Sequence, residues 1–290
     1  MDNSFVTPEK NRYWNAPRAA DFTIDQDWAS YSPEEHDRWD RLYARMKTVL
    51  PGRACKSFLS ALDQLELSEK GIPNMGRLSD RLKAITGWSV VPVAELVPDD
   101  VFFDHLANKR FPAGAFIRPE NELDYLQERD VFHDIYGHVP MLANPVFAEF
   151  MQAYGKGGLK AMERGQLPNL ARLYWYTVEF GLIREDDEVR IFGAGILSSA
   201  GESVFSLDDL SPNRIAFDLE RTMRTKYIID DFQQTYFVID SFEKLLEDCY
   251  ANFDHLYDRL KDQSDFEAGD VLETDDVLNL GTREYFNSGK

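Results

Sequence analysis

The pattern of apolar positions predicts a helix that begins just after Ser32. The segment SPEE supplies an N-cap serine, a proline at the first helical position and acidic residues in the first turn. Apolar side chains then recur at helical spacing, at Trp39, Leu42, Tyr43, Met46 and Leu50. Such a stripe is typical of a helix that packs one face against the core.

The same reasoning divides most of the chain into short helices and a few strands. Helical patterns lie at 54–67, 78–87, 99–110, 122–137, 144–165, 168–182 and 241–260. The glycines around 155–158 predict that the 144–165 segment forms two helices. Strand patterns lie at 88–98, 111–119, 189–199 and 233–240, and the third of these runs into a glycine-rich turn.

The strands do not alternate with helices as a doubly wound sheet requires, so we expect a mostly α fold of the α+β kind. Three segments follow from the pattern. Residues 1–25 form an irregular N-terminal arm, residues 26–260 form the main domain, and residues 261–290 form an acidic C-terminal tail. We expect the tail to fray or to lie as an irregular segment.

Composition narrows the possible partners. The formal net charge of −19 gives a surface that repels phosphate backbones and anionic lipids, so we expect neither nucleic acid nor a membrane surface as a partner. Only two cysteines occur in 290 residues, which is typical of a reducing compartment. Because the sequence shows no secretory signal and no apolar run of about 20 residues, it predicts a cytoplasmic protein.

Two of the five histidines, His133 and His138, lie close together in the segment RDVFHDIYGHVP. Residues five apart on an unbroken α-helix point about 140° away from each other. Both imidazoles can bind one metal only if the helix ends or distorts between them, and Gly137 and Pro140 make this possible. The alternative is that each histidine is a buried polar residue with its own hydrogen bond, or interacts with the exposed carbonyls of a helix end.

Glu179 is a candidate third ligand, because it stands in the apolar segment LARLYWYTVEFGL. A buried carboxylate is costly unless a cation or a metal compensates it. Two imidazoles and one carboxylate leave open positions on ferrous iron for dioxygen chemistry, whereas a structural zinc site prefers four filled positions and more sulfur. The alternative is an ion pair between Glu179 and an arginine such as Arg172 or Arg184.

Three segments in order resemble the pterin-dependent aromatic amino acid hydroxylase family, with the greatest likeness to its short bacterial phenylalanine 4-hydroxylases. They are FIRPENELDYLQERDVFHDIYGHVPMLANPVFAEF, LARLYWYTVEFGL and FGAGILSSAGE, and the similarity extends from about residue 25 to about residue 260. The resemblance implies the family's catalytic-domain fold, a helical basket with small β elements. It also implies that His133, His138 and Glu179 hold ferrous iron.

The resemblance further implies a substrate site. Arg118 would bind the substrate carboxylate through its planar guanidinium, and Trp175, Val238 and Ser198 would border the substrate. Residues that orient the ligand imidazoles would be Asp130, Ser198 and Glu202. Any of these could instead be an ordinary cap, turn or ion-pair residue.

The pterin site is implied in the same way. Phe102 matches the family's phenylalanine that stacks on the pterin ring, and the other residues placed near the cofactor are Val97, Asp134, Tyr125 and Tyr174. Two positions depart from the animal members of the family. Asp134 stands where they have a glutamate, so its shorter side chain would reach the pterin through water, and Leu126 stands where they have a threonine.

The implied activity is hydroxylation of L-phenylalanine to L-tyrosine with dioxygen, ferrous iron and tetrahydrobiopterin or a related tetrahydropterin. The sequence shows neither the regulatory domain of the animal enzymes nor coiled-coil heptads, so we expect a monomer. The alternatives are a tyrosine or tryptophan hydroxylase of the same family, a zinc-dependent hydrolase, or a non-catalytic interaction protein. The hydrolase would need a general base beside the ligands, and the segment HDIYGH offers only Asp134.

Overall fold

A computed structural model describes residues 12–67, 70–123, 129–250 and 253–288, and the chain divides into two compact units. The first unit comprises Met1–Thr48 and Ser57–Lys156, and the second comprises Val49–Lys56 and Gly157–Lys290. This division does not test the boundaries expected after residues 25 and 260, which stay predictions.

The first unit is built mainly from helices. They are α1 (Pro33–Val49), α2 (Lys56–Gln64), α3 (Met75–Thr86), α4 (Asp99–Ala107) and α5 (Pro145–Glu163), the last of which ends in the second unit. Strands β1 (Ser89–Val93) and β2 (Arg110–Gly114) pair in parallel, with α4 as the connection between them. A π-helix spans Phe132–His138, here called the histidine π-helix, and a 3-10 helix spans Val139–Ala143.

Local capping explains where two predicted helices begin and end. Before α1, the Ser32 hydroxyl accepts from the Glu35 N–H (3.2 Å), while the Glu35 carboxylate accepts from the Ser32 N–H (2.8 Å). This reciprocal capping box confirms the predicted start of the helix. Helix α3 is capped by Asn74 and ends at Gly87, whose φ of 80° lies in the left-handed region that glycine adopts without strain.

The segment 144–165 is one helix, so the prediction of two helices is wrong. A glycine inside a helix costs only about 1 kcal/mol relative to alanine, which packing can offset. Gly155 lies against α4 so closely that an added Cβ would be 2.5 Å from the Ala107 nitrogen. The Gln152 side chain also donates to the Ala107 carbonyl (2.9 Å). The glycine therefore permits close packing of α5 on α4 and does not end the helix.

The second unit combines helices with a five-stranded sheet. Its helices are α6 (Leu167–Tyr174), α7 (Ala194–Leu197), α8 (Ala200–Asp208), α9 (Leu219–Met223), α10 (Phe242–Tyr250), α11 (Phe253–Leu260) and α12 (Glu284–Asn287). A second π-helix, here called the Glu179 π-helix, spans Trp175–Glu179. The strands are β3 (Leu182–Glu185), β4 (Glu188–Ile191), β5 (Asn213–Ala216), β6 (Thr235–Ile239) and β7 (Val277–Asn279).

The sheet has the strand order β4-β3-β6-β5-β7. Its central strand β6 runs parallel to both neighbours, and the edge strands β4 and β7 are antiparallel to theirs. The strand expected at 233–240 is confirmed as β6. The sequence pattern does not reveal β3, β5 and β7, because each has only three or four residues. For β5 and β7 the partner strands also lie far away in sequence.

Several predicted elements end earlier than expected. The 111–119 strand stops at Gly114, and the 189–199 strand stops at Ile191 and is followed by the short helix α7. The 168–182 helix changes to the Glu179 π-helix at Trp175. The 241–260 segment contains α10 and α11, and residues 251–252 lie outside the described residues.

The described part of residues 261–290 is irregular over most of its length, as expected, but it is paired and packed and does not fray. Strand β7 pairs with β5, and the Asp275 carboxylate accepts from the Arg221 Nε (2.9 Å) in a buried ion pair. The Arg221 guanidinium also lies over the Phe266 ring, 4.7 Å from its centre. A buried arginine thus binds both a carboxylate and an aromatic ring of the acidic segment, which gives that segment a defined position.

The balance of elements confirms the mostly α class with small β components. Large aromatic side chains fill both cores, among them Trp39, Trp88 and Phe132 in the first unit and Tyr236 and Phe237 in the second. Within the described parts of the chain, no helix has both the length and the apolar character that crossing a bilayer requires.

Candidate active site

The histidine π-helix brings His133 and His138 together. A π-helix bonds each N–H to the carbonyl five residues earlier, so residues five apart lie about one turn apart instead of on different faces. The two Nε2 atoms are 3.2 Å apart, and both side chains are buried. The predicted distortion of the helix is therefore present, in the form of a π-turn. After His138 the backbone tightens into the 3-10 helix that contains Pro140.

Aromatic packing holds the histidine π-helix in place. Phe132 stacks on Tyr136 with ring centres 4.8 Å apart, and Trp39 of α1 meets the Phe132 ring edge-on at 5.1 Å. Phe58 of α2 contacts Tyr136 in the same manner at 5.6 Å. These buried rings fix the rotation of the π-helix, and the rotation fixes the direction in which the two imidazoles point.

The spacing of the two imidazoles fits a shared metal ion. Two metal–nitrogen bonds of about 2.1 Å that meet at about 90–110° separate the nitrogen atoms by about 3.0–3.4 Å. The observed separation of 3.2 Å between the Nε2 atoms lies in this range. Imidazole nitrogens are also a donor type that iron and zinc accept. The residues present therefore fit a mononuclear metal centre.

Asp134 lies beside the two histidines. One ligand atom from each of His133, Asp134 and His138 lies within 4.8 Å of the others, and all three residues are buried. The Asp134 Oδ2 accepts a hydrogen bond from the Gly114 N–H (2.7 Å) at the end of β2. Burial raises the pKa of Asp134 to about 6. The resemblance implies that Asp134 lies near the pterin, and the hydrolase alternative considers the same residue as a general base beside the ligands.

Arg118 and Asp130 form a buried ion pair next to the histidines. The carboxylate accepts from the guanidinium Nε and Nη2 (2.8 Å each), from the Arg118 backbone N–H (3.0 Å) and from the His133 backbone N–H (3.0 Å). Burial alone would raise the pKa of Asp130, but the charge and hydrogen bonds of Arg118 outweigh it and hold that pKa below its usual value. Asp130 therefore links the predicted substrate-binding arginine to the backbone of the first predicted ligand.

Glu179 ends the second π-helix, where the Phe180 N–H donates to the Trp175 carbonyl (2.8 Å). Its side chain is 1% exposed. Arg172 and Arg184, the arginines considered as its partners, form ion pairs with Asp265 and Asp240 instead. This disfavours the interpretation of Glu179 as one half of an ordinary ion pair with either of them.

Close backbone packing surrounds Glu179. An added Cβ at Gly193 would be 2.5 Å from the Glu179 carbonyl oxygen, and one at Gly195 would be 3.0 Å from the same atom. The glycine-rich segment after β4 thus lies directly against the backbone of Glu179, the third expected iron ligand. The segment's glycines are needed for this approach, because any side chain at Gly193 would displace that backbone.

The remaining predicted substrate residues, and the predicted pterin residue Tyr174, also lie in the second unit. Trp175 is half-buried and stacks on Tyr227, with ring centres 4.3 Å apart and planes inclined by 13°. Val238 is buried within β6, opposite Leu182 of β3. Tyr174 is the last residue of α6 and is buried. The Ser198 hydroxyl donates to the Ala194 carbonyl (2.8 Å).

Glu202 is buried at the start of α8, where its backbone N–H donates to the Ser199 hydroxyl (3.3 Å). Its Oε1 accepts from the Tyr236 hydroxyl and from the Gln233 N–H (3.4 Å). Burial raises the pKa of Glu202 to about 7, although the Tyr236 hydrogen bond opposes this rise. Sequence reasoning found Glu202 but missed Gln233 and Tyr236, since their relation to it is long-range.

The predicted pterin residues of the first unit can be placed only in part. Phe102 is partly buried in α4, with its ring 5.8 Å from that of Phe103. Val97 is partly buried in the loop before α4. Tyr125 and Leu126 lie outside the described residues. The roles assigned to these residues stay predictions.

Comparison with known proteins identifies the family. Residues 10–265 match the family model described as "Biopterin-dependent aromatic amino acid hydroxylase". The chain is 58% identical over 269 residues to phenylalanine-4-hydroxylase of Caulobacter vibrioides, covering 93% of this chain and 92% of the relative. It is 57% identical over 264 residues to the Ralstonia nicotianae protein of the same name, covering 91% of this chain and 84% of the relative.

A solved structure agrees with these sequence relations. The iron- and phenylalanine-bound crystal structure of phenylalanine hydroxylase from Chromobacterium violaceum is similar with a TM-score of 0.87 and 52% identity. The match covers 91% of this chain and 96% of that one. The expected aromatic amino acid hydroxylase fold is confirmed. The chain belongs to the family of biopterin-dependent aromatic amino acid hydroxylases.

Proposed function

We propose that this chain is a phenylalanine 4-monooxygenase, which converts L-phenylalanine to L-tyrosine with dioxygen and a tetrahydropterin. The observation that carries the proposal is the identity of 58% and 57% to two proteins named phenylalanine-4-hydroxylase, over more than nine-tenths of this chain. A related structure that is 52% identical contains iron and phenylalanine, which supports both the metal and the substrate.

His133, His138 and Glu179 would hold the ferrous iron. The 3.2 Å separation of the two imidazole nitrogens and the burial of Glu179 support this assignment. One carboxylate and two imidazoles leave coordination positions open for other groups. When bound, ferrous iron together with tetrahydrobiopterin supplies the activation of dioxygen and the electrons that the hydroxylation requires.

The chain's own residues would bind and orient the substrate. Arg118 would bind the amino acid carboxylate, and Asp130 keeps its guanidinium in a fixed plane through two 2.8 Å hydrogen bonds. The stacked indole of Trp175 would bound the substrate ring, and Val238 would provide an apolar border. Ser198 and Glu202 would support this region through their hydrogen bonds. Orientation of this kind is a large part of what a protein contributes to such a reaction.

The pterin would be held by the residues that the resemblance assigns to it. Phe102 would stack on its ring, with Val97, Tyr125 and Tyr174 as further neighbours. Asp134 would reach the pterin through water, because its carboxylate is short and already accepts from Gly114.

A direct assay tests the proposal. Purified protein loaded with ferrous iron is given phenylalanine, tetrahydrobiopterin and dioxygen, and tyrosine is measured by chromatography. Tyrosine is expected only when iron and pterin are both present. Parallel reactions with tyrosine or tryptophan as substrate examine the alternative hydroxylases of the same family. Preferential hydroxylation of either would overturn the substrate assignment, and hydrolytic activity with zinc alone would support the hydrolase alternative.

The proposed enzyme also has an expected oligomeric state and an expected cellular compartment. We expect a cytoplasmic monomer, and the two buried cysteines, Cys55 and Cys249, which form no disulfide, support a reducing compartment. Light scattering of the pure protein is expected to give a mass near the 33.5 kDa of one chain. A mass of two or four chains would contradict the monomer.

A further inference from the structure

Gln233 holds the edge of the Trp175 indole. The indole Nε1 donates to the Gln233 Oε1 at 2.9 Å, and Gln233 is 1% exposed. The amide nitrogen of Gln233 donates to the carbonyls of Ile228 (2.7 Å) and Asp231 (3.3 Å). The amide nitrogen donates to these two carbonyls, and the indole N–H can only donate. A flip of the amide by 180° would lose these hydrogen bonds, so its oxygen faces the indole.

Two aromatic rings pack against the same indole. Tyr227 stacks on it with ring centres 4.3 Å apart, and Phe180 lies at 4.8 Å with an inclination of 32°. Stacking restrains the plane of a ring but lets it slide and turn within that plane. The hydrogen bond from the indole nitrogen to Gln233 removes this remaining freedom.

Gln233 is in turn held by a buried acid. The Glu202 Oε1 accepts from the Gln233 backbone N–H (3.4 Å) and from the Tyr236 hydroxyl. Glu202 belongs to α8 and Tyr236 belongs to β6, so a helix and the central strand of the sheet both position the residue that contacts Trp175. The chain of contacts therefore connects rigid elements to one half-buried aromatic side chain.

We propose that Gln233 is a positioning residue that sets the angle of the Trp175 indole and thereby aligns the aromatic ring of the substrate. This inference rests on the proposed function, in which Trp175 bounds the substrate ring. When the indole can turn, the ring carbon to be hydroxylated is no longer held in place. The cofactor is then consumed without forming tyrosine, and larger substrate rings are accepted more readily.

The first experiment uses two neighbouring glutamines. Gln233→Met removes the indole contact with little change in volume, whereas Gln234→Met removes a side chain that accepts from Arg283. The measured quantity is tyrosine formed per tetrahydropterin oxidised, together with the ratio of activities on phenylalanine and tryptophan. We expect Gln233→Met to lower the first ratio about threefold or more, since small misalignments have large effects on rate. Gln234→Met is expected to match the unsubstituted enzyme.

A conservative variant separates positioning from a merely structural role. Gln233→Glu keeps an oxygen that accepts from the indole but loses the amide donors to Ile228 and Asp231. We expect it to retain most of the tyrosine yield per pterin even if the variant is less stable. Equal loss in Gln233→Glu and Gln233→Met would overturn the proposal, as would an unchanged yield in Gln233→Met.

A spectroscopic measurement does not depend on activity or on whether Gln233→Met folds. In a ¹⁵N-correlated spectrum, the indole N–H signal of Trp175 is identified by its loss in Trp175→Phe. We expect this N–H to exchange slowly with solvent deuterium in the unsubstituted protein and in Gln233→Glu, and faster in Gln233→Met. Fast exchange in the unsubstituted protein would remove the basis of the proposal. Absence of tyrosine formation by the unsubstituted enzyme would instead contradict the proposed function.

Discussion

Asp130 binds both the side chain of Arg118 and the backbone N–H of His133. One buried carboxylate therefore connects the residue expected to bind the substrate with the residue expected to bind the metal. Removal of either charge leaves the other buried without compensation, which typically costs about 3–5 kcal/mol. The geometry of both predicted sites depends on this single ion pair.

We expect Asp130→Ala and Arg118→Ala each to lower the free energy of unfolding by about 3–5 kcal/mol, with a double variant that is much less destabilised than the sum. The free energies of unfolding of the single and double variants are measured by urea denaturation. Arg41→Ala, which removes an exposed pair with Glu120, is the control and is expected to change stability little. Additive effects of Arg118→Ala and Asp130→Ala would show that the pair is not coupled.

Metal binding provides the second prediction. His133→Ala and His138→Ala are each expected to lose most of the bound iron, measured by elemental analysis after removal of excess metal, because two ligands hold an ion far less well than three. His255→Ala is the control, since His255 is exposed on α11. Iron content near one per chain in His133→Ala would contradict the proposed ligand.

The buried acid Glu202 predicts a dependence of stability on pH. Its pKa is raised by burial from an ordinary 4.5 to about 7. Below pH 4.5 the Glu202 carboxyl is protonated in both the folded and the unfolded protein, so it does not lower the free energy of unfolding. As the pH rises toward 7, the carboxyl ionises in the unfolded chain but stays largely protonated in the folded one, and the free energy of unfolding falls. We expect this loss to be on the order of 3 kcal/mol, since one pKa unit corresponds to about 1.4 kcal/mol.

The pH effect is measured as a difference between variants. The unfolding free energy of the unsubstituted protein, relative to that of Glu202→Gln, is expected to fall between pH 4.5 and 7 and to be constant above pH 8. Contributions from other groups cancel in this difference. Glu273→Gln, at an exposed position, is expected to give no such trend. A flat difference for Glu202→Gln would mean that Glu202 ionises normally in the folded protein.

Two glycines give opposite predictions. An alanine at Gly193 would bring its Cβ 2.5 Å from the Glu179 carbonyl oxygen, whereas one at Gly157 would meet nothing within 4 Å. We expect Gly193→Ala to lower both the melting temperature and the bound iron, because the backbone of a predicted ligand must move. Gly157→Ala is expected to keep its iron and to gain up to about 1 kcal/mol from helix propensity. Normal iron content in Gly193→Ala would show that this packing does not position Glu179.

The parts of the fold that sequence predicts well are those with local causes. Helix α1 begins at a capping box formed by Ser32 and Glu35, and α3 ends at Gly87, so the residues that define these boundaries are also the ones that form them. The failure at 144–165 has a different origin. Gly155 lets α5 pack closely against Ala107 of α4. The residues next to Gly155 in the sequence give no sign of this contact.

The candidate site was predictable in its residue types but not in its backbone geometry. The five-residue spacing of His133 and His138 required a distorted helix, and a π-turn is one of several distortions that would satisfy it. Hydrogen bonds to the fifth preceding residue leave no signature in a 3.6-residue apolar pattern. The contacts of Glu202 with Tyr236 and Gln233 join distant segments, so a single sequence gives no means to find them.

The position of β7 in the sheet has a consequence for synthesis. Strand β5 lies between β6 and β7, and the strand that covers its second edge follows it by roughly 60 residues. At a translation rate of about 5–20 residues per second, the edge of β5 that pairs with β7 stays unpaired for about 3–12 s during the synthesis of each chain. Bare edges invite pairing with other nascent chains, so ribosome stalling between codons 216 and 277 is expected to lower the yield of properly assembled protein.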